Sequence, residues 1–186
     1  LSIVKSAKVL YLEGYLWDHQ AAKRAFIAAA RSAKSSGSKV ALSLSDSFCV
    51  ERHQTSFIDL VNNHIDILFA NEDEIKALYQ TSSLKEALAK LRGSCTIAAI
   101  TLGEAGSVIV SGDKQWPVDS YQIGPLLDTT GAGDLYASGF LYGYTNNRDL
   151  LTCGKLGSIC AGQIVAQFGS RSKTSLETTI NTYIHQ

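Results

Sequence analysis

The run Asp128-Thr129-Thr130-Gly131-Ala132-Gly133-Asp134 holds the residues best suited to chemistry in this sequence. Three consecutive small residues leave backbone N–H groups bare, just ahead of a segment from Leu135 to Tyr144 that is apolar almost all round. The first turn of a helix has four N–H groups without intrahelical acceptors. The helix dipole adds partial positive charge at the same end. Gly131, Ala132 and Gly133 can therefore cradle an oxyanion or phosphoryl group with no side chain in the way. Asp134 brings a carboxylate to that place. It can act simply as a favourable charge in the first turn, or it can take a proton from a hydroxyl that attacks a bound phosphate. On the residues alone the two roles stand level.

Two rival phosphate loops are ruled out. A Walker A loop needs Lys after its last glycine, whereas Asp134 follows Gly133. A dinucleotide fingerprint wants Gly or Ala where Tyr136 stands, which disfavours a nicotinamide-dependent oxidoreductase.

The elements that must position this loop alternate between strand and helix. The run from Lys8 to Glu13, ending at Gly14, reads as a buried strand, followed by a helix with Asp18 as N-cap that ends at Ser35-Ser36-Gly37. Val40 to Leu44 is a second strand, Glu51 to Asn62 a second helix and Ile65 to Phe69 a third strand. Short helices are expected over Glu72–Tyr79 and Leu84–Arg92, then a fourth strand from Thr96 to Leu102. Ser107 to Val110, a Ser111-Gly112-Asp113 turn and Lys114 to Val118 predict a β-hairpin. Helices follow from Gly131 to Thr145, from Leu150 to Phe168 and from Leu176 onward. This alternation predicts one α/β domain over 1–186: a mainly parallel, doubly wound sheet with helices on both faces, plus the hairpin. Gly139 and Gly143, four apart, are expected to permit close helix packing, since glycine inside a helix otherwise costs about 1 kcal/mol.

Composition narrows the class. Of 186 residues, 45% are hydrophobic and 18% charged, so a real core can be buried. Seventeen basic and seventeen acidic residues are scattered, without the basic stripe that a nucleic acid requires. No apolar run reaches the roughly 18 to 20 residues needed to span a bilayer, so no membrane partner is expected. Cys49, Cys95, Cys153 and Cys160 contain no C-x-x-C pair and read as free thiols, which suits the cytoplasm. His19, His53, His64 and His185 show no metal-ligand spacing. The chain starts at Leu1 and lacks Met, which suggests a piece of a longer protein.

The run DTTGAGD resembles the C-terminal signature of the PfkB-type carbohydrate kinases, the ribokinase-like family that includes adenosine kinase. Asn71-Glu72-Asp73-Glu74 resembles its N-x-x-E element, Thr101-Leu102-Gly103 with Gly106 its nucleotide-contacting strand end, and Val165 to Ser170 the end of its penultimate helix. The resemblance runs from about Lys8 to the C-terminus and covers the nucleotide-binding half, without the N-terminal lid half. It implies a kinase that uses ATP and Mg²⁺, and in several members K⁺, to phosphorylate a sugar or nucleoside hydroxyl. Asp134 then matches the catalytic base, and Gly131, Ala132 and Gly133 the anion hole. Asn71 and Glu74 match the pair that organises magnesium and phosphate, Glu74 through water. Thr101, Gly103, Gly106, Thr130 and Gly169 match nucleotide-site positions, and Asp128 the acid near the potassium ion. Tyr11 to Tyr15 leans toward the adenosine kinase branch. The resemblance also implies a homodimer formed through the missing lid region and poor turnover by these residues alone. The competing expectation is a non-catalytic nucleotide-binding or scaffolding module that keeps the fold. From the residues alone, Asn71 through Glu74 reads first as a capped helix start, a reading the resemblance reverses, and Gly103, Gly106 and Asp128 are equally turn residues.

Overall fold

The structure, a computed structural model, describes residues 2–185. They form two compact units: one runs to Ile100 and takes in Val110–Lys114, the other comprises Thr101–Ile109 and continues from Gln115. In chain order the first elements are α1 (Ser2–Ser6), β1 (Val9–Glu13), a 3-10 turn (Gly14–Asp18), α2 (Gln20–Ser35) and β2 (Lys39–Ser43). Next come α3 (Ser47–Arg52), α4 (Gln54–His64), β3 (Ile67–Asn71), α5 (Glu72–Tyr79), α6 (Leu84–Leu91) and β4 (Ile97–Thr101). A 3-10 turn (Gly103–Ala105), β5 (Ser107–Ser111), β6 (Lys114–Val118), α7 (Ala132–Thr145), α8 (Leu150–Val165) and α9 (Leu176–Tyr183) complete the series.

The six strands lie in the order β1-β2-β3-β4-β5-β6. β1 and β2 run parallel with Tyr11 opposite Ala41, and β2 and β3 parallel with Leu42 opposite Leu68. The Ile97 amide donates to the Asp66 carbonyl at 2.9 Å, so β4 starts beside the start of β3. A two-residue turn, with Gly112 at φ 55°, closes the β5–β6 hairpin. The α/β class and the mostly parallel sheet follow the strand–helix alternation of the sequence.

Successive side chains point to opposite faces of a strand. Val40–Leu42, Ile67–Ala70 and Ile97–Ile100 are nevertheless buried without interruption. Both faces of these strands are therefore covered, as uninterrupted buried apolar runs require.

Two helix starts differ from the sequence reading. Gly14–Asp18 coils as a 3-10 turn, so α2 begins later, at Gln20, and its N-cap His19 makes no side-chain cap bond. Asp18 spends its carboxylate elsewhere, on Arg52 Nη2 at 2.9 Å and His53 Nε2 at 2.8 Å. The expected single helix over 51–62 is two helices. Asp46 caps the first by accepting from the amides of Phe48 and Cys49 at 3.1 and 3.2 Å, and the chain breaks at His53. The side-chain acceptor at Asp46 starts the helix four residues earlier than apolar periodicity alone suggested.

In the second unit α7 and α8 pack through their glycines. A Cβ on Gly139 would stand 2.5 Å from the Leu156 carbonyl oxygen, and one on Gly143 would stand 2.8 Å from Leu156 Cδ1. The thiols of Cys160 and Cys153 fill the space over these two positions, and both cysteines are buried and free. The expected role of Gly139 and Gly143 is met: they let two helix backbones approach.

Candidate functional site

Gly131 is the N-cap of α7, at φ 82°. A side chain there would be strained by that backbone, and its Cβ would stand 2.8 Å from Ser170 Cβ. The turn is closed by the Ala132 amide donating to the Thr129 carbonyl at 3.1 Å, while Leu135 donates to Gly131 at 2.9 Å. Among the described residues, the amides of Gly131, Gly133 and Asp134 have no acceptor. The free donors are therefore Gly131, Gly133 and Asp134, one position off the expected Gly131–Ala132–Gly133 set. A Cβ placed at Gly133 would meet no atom within 4 Å, so approach to its amide is open within this chain. Asp134 is exposed, and no hydrogen bond or ion pair engages its carboxylate among the described residues.

Asp128 shapes this loop from its N-terminal side. Its Oδ1 accepts the Thr130 amide at 2.9 Å and its Oδ2 accepts the Gly169 amide at 3.0 Å. The Gly169 and then the Thr130 bonds hold the Asp128 carboxyl down at a pKa of about 2. The Leu127 and Asp128 amides both donate to the Val165 carbonyl, at 2.8 and 3.3 Å. Asp128, Thr130, Gly131 and Gly169 are thus brought into one hydrogen-bonded arrangement between the ends of α7 and α8. Both carboxylate oxygens are occupied by backbone N–H groups, so a cation would have to share them.

Asn71 and Glu74 lie in the first unit and form a complete capping box at the start of α5. Glu74 N donates to Asn71 Oδ1 at 2.8 Å, Asn71 N donates to Glu74 Oε2 at 2.9 Å, and Asn71 Nδ2 donates to Glu74 Oε1 at 2.9 Å. Glu74 is 7% exposed. Burial raises its pKa to about 7, against the lowering effect of the Asn71 amide, with Asp46, Glu13 and Asp73 adding like-charge repulsion. Oxygen donors with surplus negative charge suit a hard divalent ion that keeps most of its waters. Among the described residues no group of three or more His, Cys, Asp or Glu side chains has ligand geometry. Both Glu74 carboxylate oxygens are taken up by Asn71, so a cation here would have to share them or be reached through water.

Thr101 ends β4, and Gly103 and Gly106 bracket the following 3-10 turn at φ 62° and 85°. Gly106 has a structural reason: a Cβ there would lie 2.1 Å from the Val118 carbonyl oxygen. Gly103 faces open space. Sequence reasoning missed a recess of about 300 Å³ in the same unit, lined by Asp119, Ser120, Tyr121, Gln122, Lys155 and Tyr183. The rings of Tyr121 and Tyr183 meet edge to face at 6.4 Å. No pattern joins these residues in the sequence, because they come from a strand-end segment and two helices.

Residues 1–178 match the pfkB family of carbohydrate kinases. The chain belongs to that family. A cytidine kinase from Thermococcus kodakarensis is 32% identical over 114 residues, which are 60% of this chain and 41% of that protein. The structure of an adenosine kinase from Sinorhizobium meliloti is 46% identical with a TM-score of 0.94, over 97% of this chain and 56% of that one. A probable sugar kinase from Rhizobium etli is 48% identical with a TM-score of 0.94, over 97% and 55%. This pfkB chain therefore spans about four-tenths to just over half the length of these three relatives. Among the described residues, no helix is long and apolar enough to cross a membrane.

Proposed function

We propose that this chain is the nucleotide-binding and catalytic half of a kinase that transfers the γ-phosphoryl of ATP to a hydroxyl of a sugar or nucleoside. One observation carries the reading: amides at Gly131, Gly133 and Asp134 share one helix turn with a carboxylate, and among the described residues neither the amides nor the carboxylate has a partner. Phosphoryl transfer asks a protein mainly for positioning and charge stabilisation. The free amides and the α7 dipole offer the second, aimed at the oxygens of the transferred group. Asp134 accepts the proton from the attacking hydroxyl. Asn71 and Glu74 hold hydrated magnesium, which neutralises phosphate charge when bound. Thr101, Gly103, Gly106, Thr130 and Gly169 line the path of the nucleotide. The aromatic-walled recess at Tyr121 and Tyr183 has the volume for a purine ring and takes the base of the nucleotide.

The relatives include an adenosine kinase, a cytidine kinase and a probable sugar kinase, so both acceptor classes belong in the assay. The decisive experiment is Asp134→Asn, assayed in the full-length protein with ATP and a panel of nucleosides and sugars. Turnover falls at least 10²-fold, as removal of a general base does, while ATP binding measured by calorimetry persists. Retained turnover would remove Asp134 from its role. Absence of phosphotransfer in the unaltered protein would favour a non-catalytic nucleotide-binding module.

A further inference from the structure

The segment after α8 carries an unusual concentration of side-chain hydrogen bonds. Gln163 is 5% exposed, inside α8, and its Nε2 lies 2.6 Å from Ser172 Oγ, 2.5 Å from Thr174 Oγ1 and 3.2 Å from the Thr174 carbonyl oxygen. Ser172 Oγ in turn donates to the Thr174 carbonyl at 2.7 Å. One turn on, Gln167 Nε2 donates to the Arg171 carbonyl at 2.7 Å, and Gln167 Oε1 accepts the Lys173 amide at 3.0 Å. Gln163, inside α8, and Gln167, two residues past its end, thus hold a loop that has no regular secondary structure of its own from Gln167 to Thr174. A polar side chain buried in a helix is costly unless its partners require it. Here the partners are the backbone and hydroxyls of that loop.

The same loop is what steadies the phosphate-facing turn. Gly169 donates its amide to Asp128, and Ser170 stands behind Gly131 at a distance that leaves no room for a side chain. The connection therefore runs from Gln163 and Gln167 to the 167–174 loop, on to Asp128 and Gly131, and so to the free amides of Gly133 and Asp134. We propose that Gln163, seconded by Gln167, is a positioning residue that sets the aim of the anion-binding amides at the start of α7 through the loop after α8. It touches no substrate. Its kinetic consequence rests on the function proposed above, but its structural consequence does not.

The test separates the two. Gln163→Met keeps the volume of the side chain and removes the amide. Thr174→Val, at the exposed end of the same clasp, removes a hydroxyl partner without disturbing the helix interior. Amide exchange followed by mass spectrometry on this chain reads the turn directly. Both variants raise the exchange rate of the bonded amides within 128–134, those of Asp128, Thr130 and Ala132, by about tenfold, as expected when hydrogen bonds that restrain a turn are lost. Faster exchange confined to 167–174, with residues 128–134 unchanged, would overturn the proposal. In the full-length protein Gln163→Met lowers kcat/KM for ATP about tenfold. In an Asp128→Asn background the same change costs less than twofold, because the link it acts through is already cut. Fully additive losses would likewise overturn it. Exchange coupling in a protein without phosphotransfer would leave the clasp standing and remove only the kinase reading.

Discussion

Asp128 and Gly169 are 41 residues apart in the chain, yet the carboxylate of one accepts the amide of the other at 3.0 Å. This bond joins the turn before α7 to the loop after α8, and the carboxylate must be ionised for it to hold at full strength.

Asp128 therefore gives an acid-side signature. Its folded pKa, about 2, lies below its ordinary value of 3.8. A depressed carboxyl contributes stability that is present above the unfolded pKa and lost as pH falls through the folded one. The melting temperature of Asp128→Asn should lie below that of the unaltered chain at pH 5, with the gap closing between about pH 4 and pH 2. Thermal melts across that range check it, and a gap independent of pH would show that the charge is irrelevant.

Glu74 has the opposite sign. Its pKa is raised from 4.5 to about 7 by burial, so between those values the folded chain binds more protons than the unfolded one. Stability falls as pH rises from about 4.5 to 7, by up to about 3 kcal/mol. Denaturant titrations at pH 5 and pH 8 should show this loss in the unaltered chain and little of it in Glu74→Gln. Magnesium, which favours the ionised carboxylate, should release a proton near neutral pH and narrow the difference.

Gly131→Ala places a Cβ 2.8 Å from Ser170 Cβ on a backbone at φ 82°. The left-handed conformation alone costs about 1–2 kcal/mol, which in a chain of this size lowers the melting temperature by about 2–8 °C. Gly106→Ala meets the Val118 carbonyl at 2.1 Å and should be worse, with little folded protein recovered. Circular dichroism melts of the two variants rank them; equal tolerance of alanine would contradict the geometry.

Tyr136 and Ser107 form a buried pair, 3% and 2% exposed, with the phenol donating to the hydroxyl at 2.8 Å. Tyr136→Phe orphans Ser107 and should cost about 1–3 kcal/mol by chemical denaturation. The double variant with Ser107→Ala should cost less than the sum of the two single changes.

Tyr183→Ala opens one wall of the recess that is proposed to take the base. The KM for ATP in the full-length protein should rise severalfold with kcat nearly unchanged, since uniform binding is what is lost. An unaltered KM would move the base elsewhere.

The parts of this chain that could be read from sequence are those whose partners are near in the chain. The DTTGAGD turn declares itself because bare amides ahead of an apolar helix need only consecutive small residues. Asn71 and Glu74 declare themselves because a capping box has fixed spacing. The strand–helix alternation gave the α/β class for the same reason. Asp18 misled because a 3-10 turn shares its polar signals with a cap, and its true partners, Arg52 and His53, lie more than 30 residues on. Gln163 and Gln167 read as ordinary residues of an apolar helix until the loop they hold is seen. The recess at Tyr121 and Tyr183 depends on elements about sixty residues apart, and no local rule reports such a meeting.

The mirror-handed backbone at Gly131 has a thermodynamic consequence. With φ 82° fixed by the fold and Ser170 against its back, the donors beyond it point their way before anything arrives. Under the proposed function, a host so prepared would surrender little disorder on capture and reorganise little as charge migrates during reaction. Three side-chain-poor positions in a seven-residue signature thus record a demand for rigidity in the empty state.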